Sequence, residues 1–182
     1  MEMLVLSAVF AFSMAWRAQR VSRQSMMMVY SLRSHTAIVV AQGFNSVLLC
    51  DEGLLDEPSS IDYSLKGHWA SAQWPMNPPC FTLDEDVRCP LVVKRDNLMS
   101  AQGKLLAIWN PNDDARSHKI AVDYLLVKGK QKPNLRKMLS VYQVGTLLID
   151  GSVPKYRVQE WIQQAETHGI PYRNLHDGAV SL

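Results

Sequence analysis

The chain has little of what usually announces chemistry. Its three cysteines, at 50, 80 and 89, form no CxxC pair and no even set, which argues against a disulfide framework or a zinc knuckle. None of the five histidines (35, 68, 118, 168 and 176) has another at i+2, i+3 or i+4, the spacings that bring two imidazoles from one element onto one metal. There is no GxSxG elbow, no GxxxxGK[ST] phosphate loop and no GxGxxG, so the usual serine-hydrolase and nucleotide signatures are missing. The formal net charge of +2 is too small to argue for a nucleic-acid or membrane surface from totals alone. No internal repeat and no low-complexity tract is present.

What is there describes an ordinary globular chain. At 182 residues, 47% hydrophobic and 20% charged, it has room for one domain and an appendage. The N-terminus departs from the average. "MLVLSAVFAFSMAW" (3–16) carries no charge and is followed by Arg17, Arg20 and Arg23. A full span takes about 20 apolar residues, and a signal peptide would place basic residues where Glu2 stands. The stretch reads as the end of a longer transmembrane helix, a short anchor or a buried helix. If it spans, the basic flank favours placing the rest of the chain in the cytoplasm.

From residue 26 the pattern becomes β-rich. "MMMVYSL" (26–32), "TAIVVAQ" (36–42) and "SVLLCD" (46–51) are short strands, the last two joined by the three-residue turn "GFN". The stretch 52–80 holds four of the nine prolines and reads as a loop or short helix. "PLVVKR" (90–95), "LMSAQ" (98–102) and "KLLAIWN" (104–110) form a further meander with "DN" as a turn. Then the periodicity alternates. Strand "YLLV" (124–127) leads to a helix with Leu135, Met138, Leu139 and Tyr142 on one face. Strand "TLLID" (146–150) leads to a second helix with Val158, Trp161, Ile162 and Ala165 on one face. Ser152 is its expected N-cap, Pro154 lies in its first turn and Gly169 stops it. "PYRNL" (171–175) and "GAVSL" (178–182) close the chain as strands. A meander followed by βαβαβ predicts an α/β fold in α+β order, with both helices packed on a sheet.

Candidate chemistry is sparse. Asp51 and Asp150 each end an apolar strand, where carboxylates serve catalysis or cap turns. His118 lies near Asp113 and Asp114 in a polar turn, and His168 sits in a last helical turn where capping is the plainer role. The loop after strand 124–127 carries Lys128, Lys130 and Lys132, with Arg136 and Lys137 following. Those cations suit phosphate contact weakened by salt, or they line a solvated turn. No aromatic residue is interleaved within the loop to stack on bases.

The order of these segments resembles the C-terminal region of ComEC-type competence proteins, the membrane channels for DNA uptake. The family's metallo-β-lactamase-like domain opens with a strand–DVGQGD–strand element where this chain has "YSLRSHTAIVV", so its carboxylates fall on Ser31 and Thr36. Its IDTG matches "CDEG", with Asp51 and Gly53 in register. Its PHHGS falls on "LLVKGKQK", with Gly129 and Lys130 at the histidine positions. The tail "KYRVQEWIQQAETHGIPYRNLHDGAV" is similar to the family's closing helix, its Gly-Ile break, a strand and a D-G-A turn, in a Bacteroidetes-like form. No HxHxDH element occurs.

The resemblance implies a metallo-β-lactamase-like β-sandwich with flanking helices over 25–182, preceded by a membrane helix over 1–24. The first function it implies is a non-catalytic, membrane-tethered domain of a DNA-uptake channel that binds or positions DNA or braces the channel. Asp51 alone survives of the metal ligands, so no metal and no cofactor is expected, and an ammonium at Lys130 would repel a metal. Lys128, Lys130, Lys132, Arg136 and Lys137 are the expected DNA contacts. The expected partners are the membrane through residues 1–24, single-stranded DNA and the rest of a multi-span channel. The expected location is the inner (cell) membrane, and the family's usual outer-face placement conflicts with the cytoplasmic sense of the arginine flank. A chain beginning with the last part of a membrane helix reads as a fragment or split product of a longer protein. Two other functions stand beside this one: an active metal-dependent phosphodiesterase or nuclease with unrecognised ligands, and a structural interaction module.

Overall fold

The computed structural model describes residues 9–10, 12–16, 19, 21–22, 24–32, 35–56, 65, 67, 69–70, 74, 77–113, 118–129, 132 and 134–182. Two sheets hold the chain. In the first, β1 (Ser25–Leu32), β2 (His35–Gln42) and β3 (Asn45–Cys50) form an antiparallel meander. It is flanked by β4 (Cys80–Thr82), parallel to β3, and by the C-terminal β12 (Val180–Ser181) on β1. The second runs β11-β10-β9-β8-β7-β6-β5. Its β5 (Val87–Arg88), β6 (Val93–Arg95), β7 (Leu98–Ala101) and β8 (Lys104–Ile108) are antiparallel. Its β9 (Ile120–Val127), β10 (Tyr142–Ile149) and β11 (Tyr172–Asn174) continue the sheet in parallel.

Side-chain alternation along the strands divides the core into three layers of contact. Between the sheets, Met27, Val29, Ile38, Val40, Val47 and Leu49 meet Met99, Leu106, Ile108, Leu126 and Leu148. The intervening residues point outward and are covered too. Ala107, Leu125, Val127, Leu147 and Ile149 pack under the helices α2 (Leu135–Val141) and α3 (Lys155–Thr167). On the other side Met28, Tyr30, Ala37, Val39, Leu48 and Cys50 pack under Leu54, Leu65, Trp69 and Trp74. Leu54 belongs to the short helix α1 (Glu52–Leu55). The central strands are therefore buried on both faces, which is why "TAIVVA" and "LLV" read as unbroken apolar runs.

Turn chemistry sets the registers. The β2–β3 turn has two residues, Gly43 and Phe44, with Gln42 opposite Asn45 and Gly43 at φ +60°. It is one residue shorter than the expected "GFN" because Asn45 joins the ladder. Asp96, at φ +50°, opens the β6–β7 turn, while Gln102 and Gly103 both take positive φ between β7 and β8, the pattern of tight hairpins. Lys94 is buried on β6, with its ammonium donating to the carbonyls of Glu85 and Asp96 at 2.9 and 2.7 Å. Burial lowers its pKa, and Asp86, Asp84 and Asp96 pull in the opposite sense.

Several boundaries differ from the sequence expectation: β9 starts at Ile120, four residues before the expected 124, and two further differences lie at the helices. The first helix of the βαβαβ half ends at Val141, and Tyr142 starts β10. Its ring packs edge-on to Trp109 with centroids 6.4 Å apart, and its hydroxyl donates to Asp113 at 2.9 Å. These contacts hold Tyr142 extended despite its helical spacing from Leu135. Ser152 is not the N-cap of α3: Pro154 stands there, because the Ser152 hydroxyl is engaged by Asp150 and Gly129. His168 does cap the C-terminus, its N–H reaching the carbonyls of Gln164 and Glu166, and Gly169 follows at φ +66°.

The expected membrane helix over 1–24 lies partly outside the described residues. Residues 9–10, 12–16, 19 and 21–22 are helical, and no described helix is long and apolar enough to cross a membrane.

The cysteines provide a direct check on the packing. Cys50 is fully buried, and burial, reinforced by Cys80 and Asp51, pushes its thiol up to about 12. Burial also raises the thiol of Cys80, which is nonetheless exposed, and Cys89 is partly exposed. Because the thiolate is the reactive form, iodoacetamide at neutral pH is expected to label Cys80 and Cys89 and to reach Cys50 only in denaturant. Equal labelling of Cys50 in the native protein would contradict this packing.

Candidate functional site

The ends of the strands converge on one edge where the two sheets meet. From the first sheet come Thr36, at the start of β2, and Asp51, just past β3. They are joined in both directions: the Asp51 N–H donates to the Thr36 carbonyl at 3.1 Å, and the Thr36 N–H donates to Asp51 Oδ2 at 2.7 Å. From the second sheet come Lys128 and Gly129, just past β9, and Asp150 and Ser152, just past β10. The parallel register that pairs Ile149 with Val127 makes Lys128 and Asp150 neighbours.

Among the described residues two polar contacts cross between the sheets at this edge. Lys128 Nζ sits 2.6 Å from Asp51 Oδ1, and Thr36 Oγ1 donates to Asp150 Oδ2 at 3.0 Å. Asp150 Oδ2 also accepts the Ser152 N–H at 3.1 Å and the Ser152 hydroxyl. Ser152 Oγ in turn accepts the Gly129 N–H at 2.8 Å. With Lys128 and Gly129 adjacent in the chain, the six residues close a ring that passes from sheet to sheet twice. Thr36 and Asp150 are fully buried, whereas the Lys128 and Asp51 side chains keep 28% and 21% of their exposure. The ion pair is thus partly desolvated, a setting in which removing one partner costs more than it does at the surface.

Small residues let the surroundings close in. A Cβ on Gly53 would lie 2.8 Å from Cε1 of His35, and one on Gly151 would run into the Ser31 hydroxyl. His176 donates from Nε2 to the Val153 carbonyl at 2.8 Å.

This arrangement does not fit a metal ion. Asp51 has one oxygen on an ammonium and the other on a backbone amide. Asp150 has one oxygen holding three donors. Ser31 and Thr36, where the resemblance puts carboxylates, face each other across β1 and β2 and bring only hydroxyls. No group of three or more His, Cys, Asp or Glu side chains placed for a metal occurs among the described residues. The ammonium on Asp51 offers no lone pair, and its charge repels a cation.

The remaining candidates are scattered. Lys130 lies outside the described residues. Lys132 and Arg136 are exposed, but Lys137 donates to the Pro111 carbonyl and lies 5.9 Å over the Trp109 ring. Lys128 is held by Asp51. Asp114 lies outside the described residues, and Asp113 pairs with Asn97 and Tyr142 rather than with the exposed His118. The sequence pattern points to Lys130 as the decisive ammonium; the structure puts Lys128 on Asp51. The pairing of Thr36 with Asp150 is likewise absent from the sequence expectation. The available signal was the matched strand ends, "LLVKG" and "LLIDG", each an apolar run closed by a charge and a glycine.

No curated protein and no solved structure matches the chain. A model of the ComEC C-terminal domain matches residues 27–182, which takes in both sheets, both ends of the ring and the closing helix. The chain belongs to the ComEC C-terminal domain family.

Proposed function

We propose that this chain serves DNA uptake as a non-catalytic domain that binds or positions the incoming strand, or braces the channel. Membership of the ComEC C-terminal domain family ties it to DNA uptake and to a membrane. The single observation that supports a non-catalytic role is the Lys128 ammonium seated 2.6 Å from Asp51, where water activation would need a metal. The same observation disfavours the metal-dependent nuclease. Architecture adds support for a metallo-β-lactamase-like sandwich, since two facing sheets carry helical cover on their outer faces.

Tethering at the inner membrane through residues 1–24 is the second part of the reading. It is supported by Val9, Phe10, Phe12, Met14 and Trp16, helical residues that are each 58–69% exposed. Apolar surface of that kind calls for a lipid or protein partner, such as the rest of a multi-span channel.

For the DNA contact, Lys132, Arg136 and Lys137 are exposed, Lys137 being engaged by the Pro111 carbonyl and the Trp109 ring, and Lys130 lies between Lys128 and Lys132 in the chain. Binding of single-stranded DNA is expected to weaken steeply between about 50 and 200 mM salt. Changing Lys130, Lys132 and Arg136 together to Gln should flatten the log–log salt slope by about 2. A fluorescence-anisotropy titration at both salts reads this out. No binding at low salt would remove the DNA-contact part and leave the bracing role.

A further inference from the structure

We propose that Lys128 is a tethered internal cation that clamps the two sheets together at this edge, so that the fold needs no free ion there. The clamp is independent of whether DNA is bound. Its basis is connectivity. Asp51 belongs to the first sheet through the Thr36 amide, and Lys128 follows β9 of the second. The ion pair and the Thr36–Asp150 hydrogen bond, at 2.6 and 3.0 Å, are the two polar links that close the ring across the layers.

The charges explain why the link has to be a cation. Two carboxylates, Asp51 and Asp150, stand at facing strand ends, and the Asp150 side chain is fully buried with neutral donors only. One of its oxygens has no hydrogen-bond partner. The ammonium meets Asp51 directly at 2.6 Å, and a charge carried on the chain needs no capture from solution. A flexible lysine stem delivers it as a point charge, which the single-oxygen contact requires. The planar fork of arginine would seek both Asp51 oxygens and compete with the Thr36 amide.

Thermal unfolding of the full chain tests the proposal. Neither EDTA nor millimolar Mn2+ or Zn2+ should move the melting temperature of the unaltered protein. Lys128→Met should lower it by about 5 °C. Millimolar ethylammonium should restore part of that loss while leaving the unaltered protein where it was. The double variant Asp51→Asn/Lys128→Met should be more stable than Lys128→Met alone and deaf to ethylammonium, because the one carboxylate that Lys128 contacts is then gone. If Lys128→Met does not fold alone, refolding yield with and without ethylammonium gives the same reading. Stabilisation of the unaltered protein by a divalent ion would overturn the proposal. So would an unchanged melting temperature in Lys128→Met, additive losses in the double variant, or ethylammonium acting equally on all forms.

Discussion

Asp150→Ala is expected to cost about 3 kcal/mol of unfolding free energy. The carboxylate accepts from the Thr36 hydroxyl, the Ser152 amide and the Ser152 hydroxyl, and Thr36 is fully buried. Truncation leaves those donors facing a cavity and frees the Ser152 side chain that holds the Gly129 amide. The loss is limited because a buried carboxyl group with one unpartnered oxygen also carries a desolvation cost, which alanine removes. Asparagine keeps an acceptor oxygen and should recover more than half of the deficit. Urea denaturation followed by tryptophan fluorescence measures both. An Asp150→Ala protein within about 0.5 kcal/mol of the unaltered chain would mean that the ring does not bind the sheets.

Trp161→Ala should cost more, about 3–5 kcal/mol. Trp161 is a fully buried side chain of α3 and sits among Leu135, Met138, Val158 and Ala165 over the second sheet. Removing it opens a cavity between α2, α3 and the strands whose ends carry Lys128 and Asp150. The indole N–H has no hydrogen-bond partner, so Trp161→Phe loses only shape and volume and should cost about 1 kcal/mol. Equal losses for the two variants would show that the N–H is satisfied and that the packing account is wrong.

Much of this was legible in the sequence because it is local. The β-branched apolar run "TAIVVAQ" and the turn glycine Gly43 set the first meander. The spacing of Val158, Trp161 and Ala165, closed by Gly169, set α3 to within a residue or two. The tail motif pointed to the family that the match over 27–182 establishes. What escaped was either overruled by tertiary contact or long-range. Tyr142 keeps helical spacing from Leu135, yet Trp109 and Asp113 draw it into β10. Ser152 has the composition of an N-cap, but Asp150 and Gly129 claim its hydroxyl. The pairs Lys128–Asp51 and Thr36–Asp150 join residues 77 and 114 positions apart. Such pairs exist only once the sheets have packed, so one sequence offers a list of candidates and no pairing.

The proposed role of Lys128 requires the chain's own ammonium, and no metal ion, to hold Asp51. Diffraction from crystals grown in millimolar Mn2+, with data collected at the manganese edge, tests it most directly. The account predicts Lys128 Nζ within hydrogen-bond distance of Asp51 and no anomalous peak beside either residue. A peak ligated by Asp51, with Lys128 swung away, would contradict it.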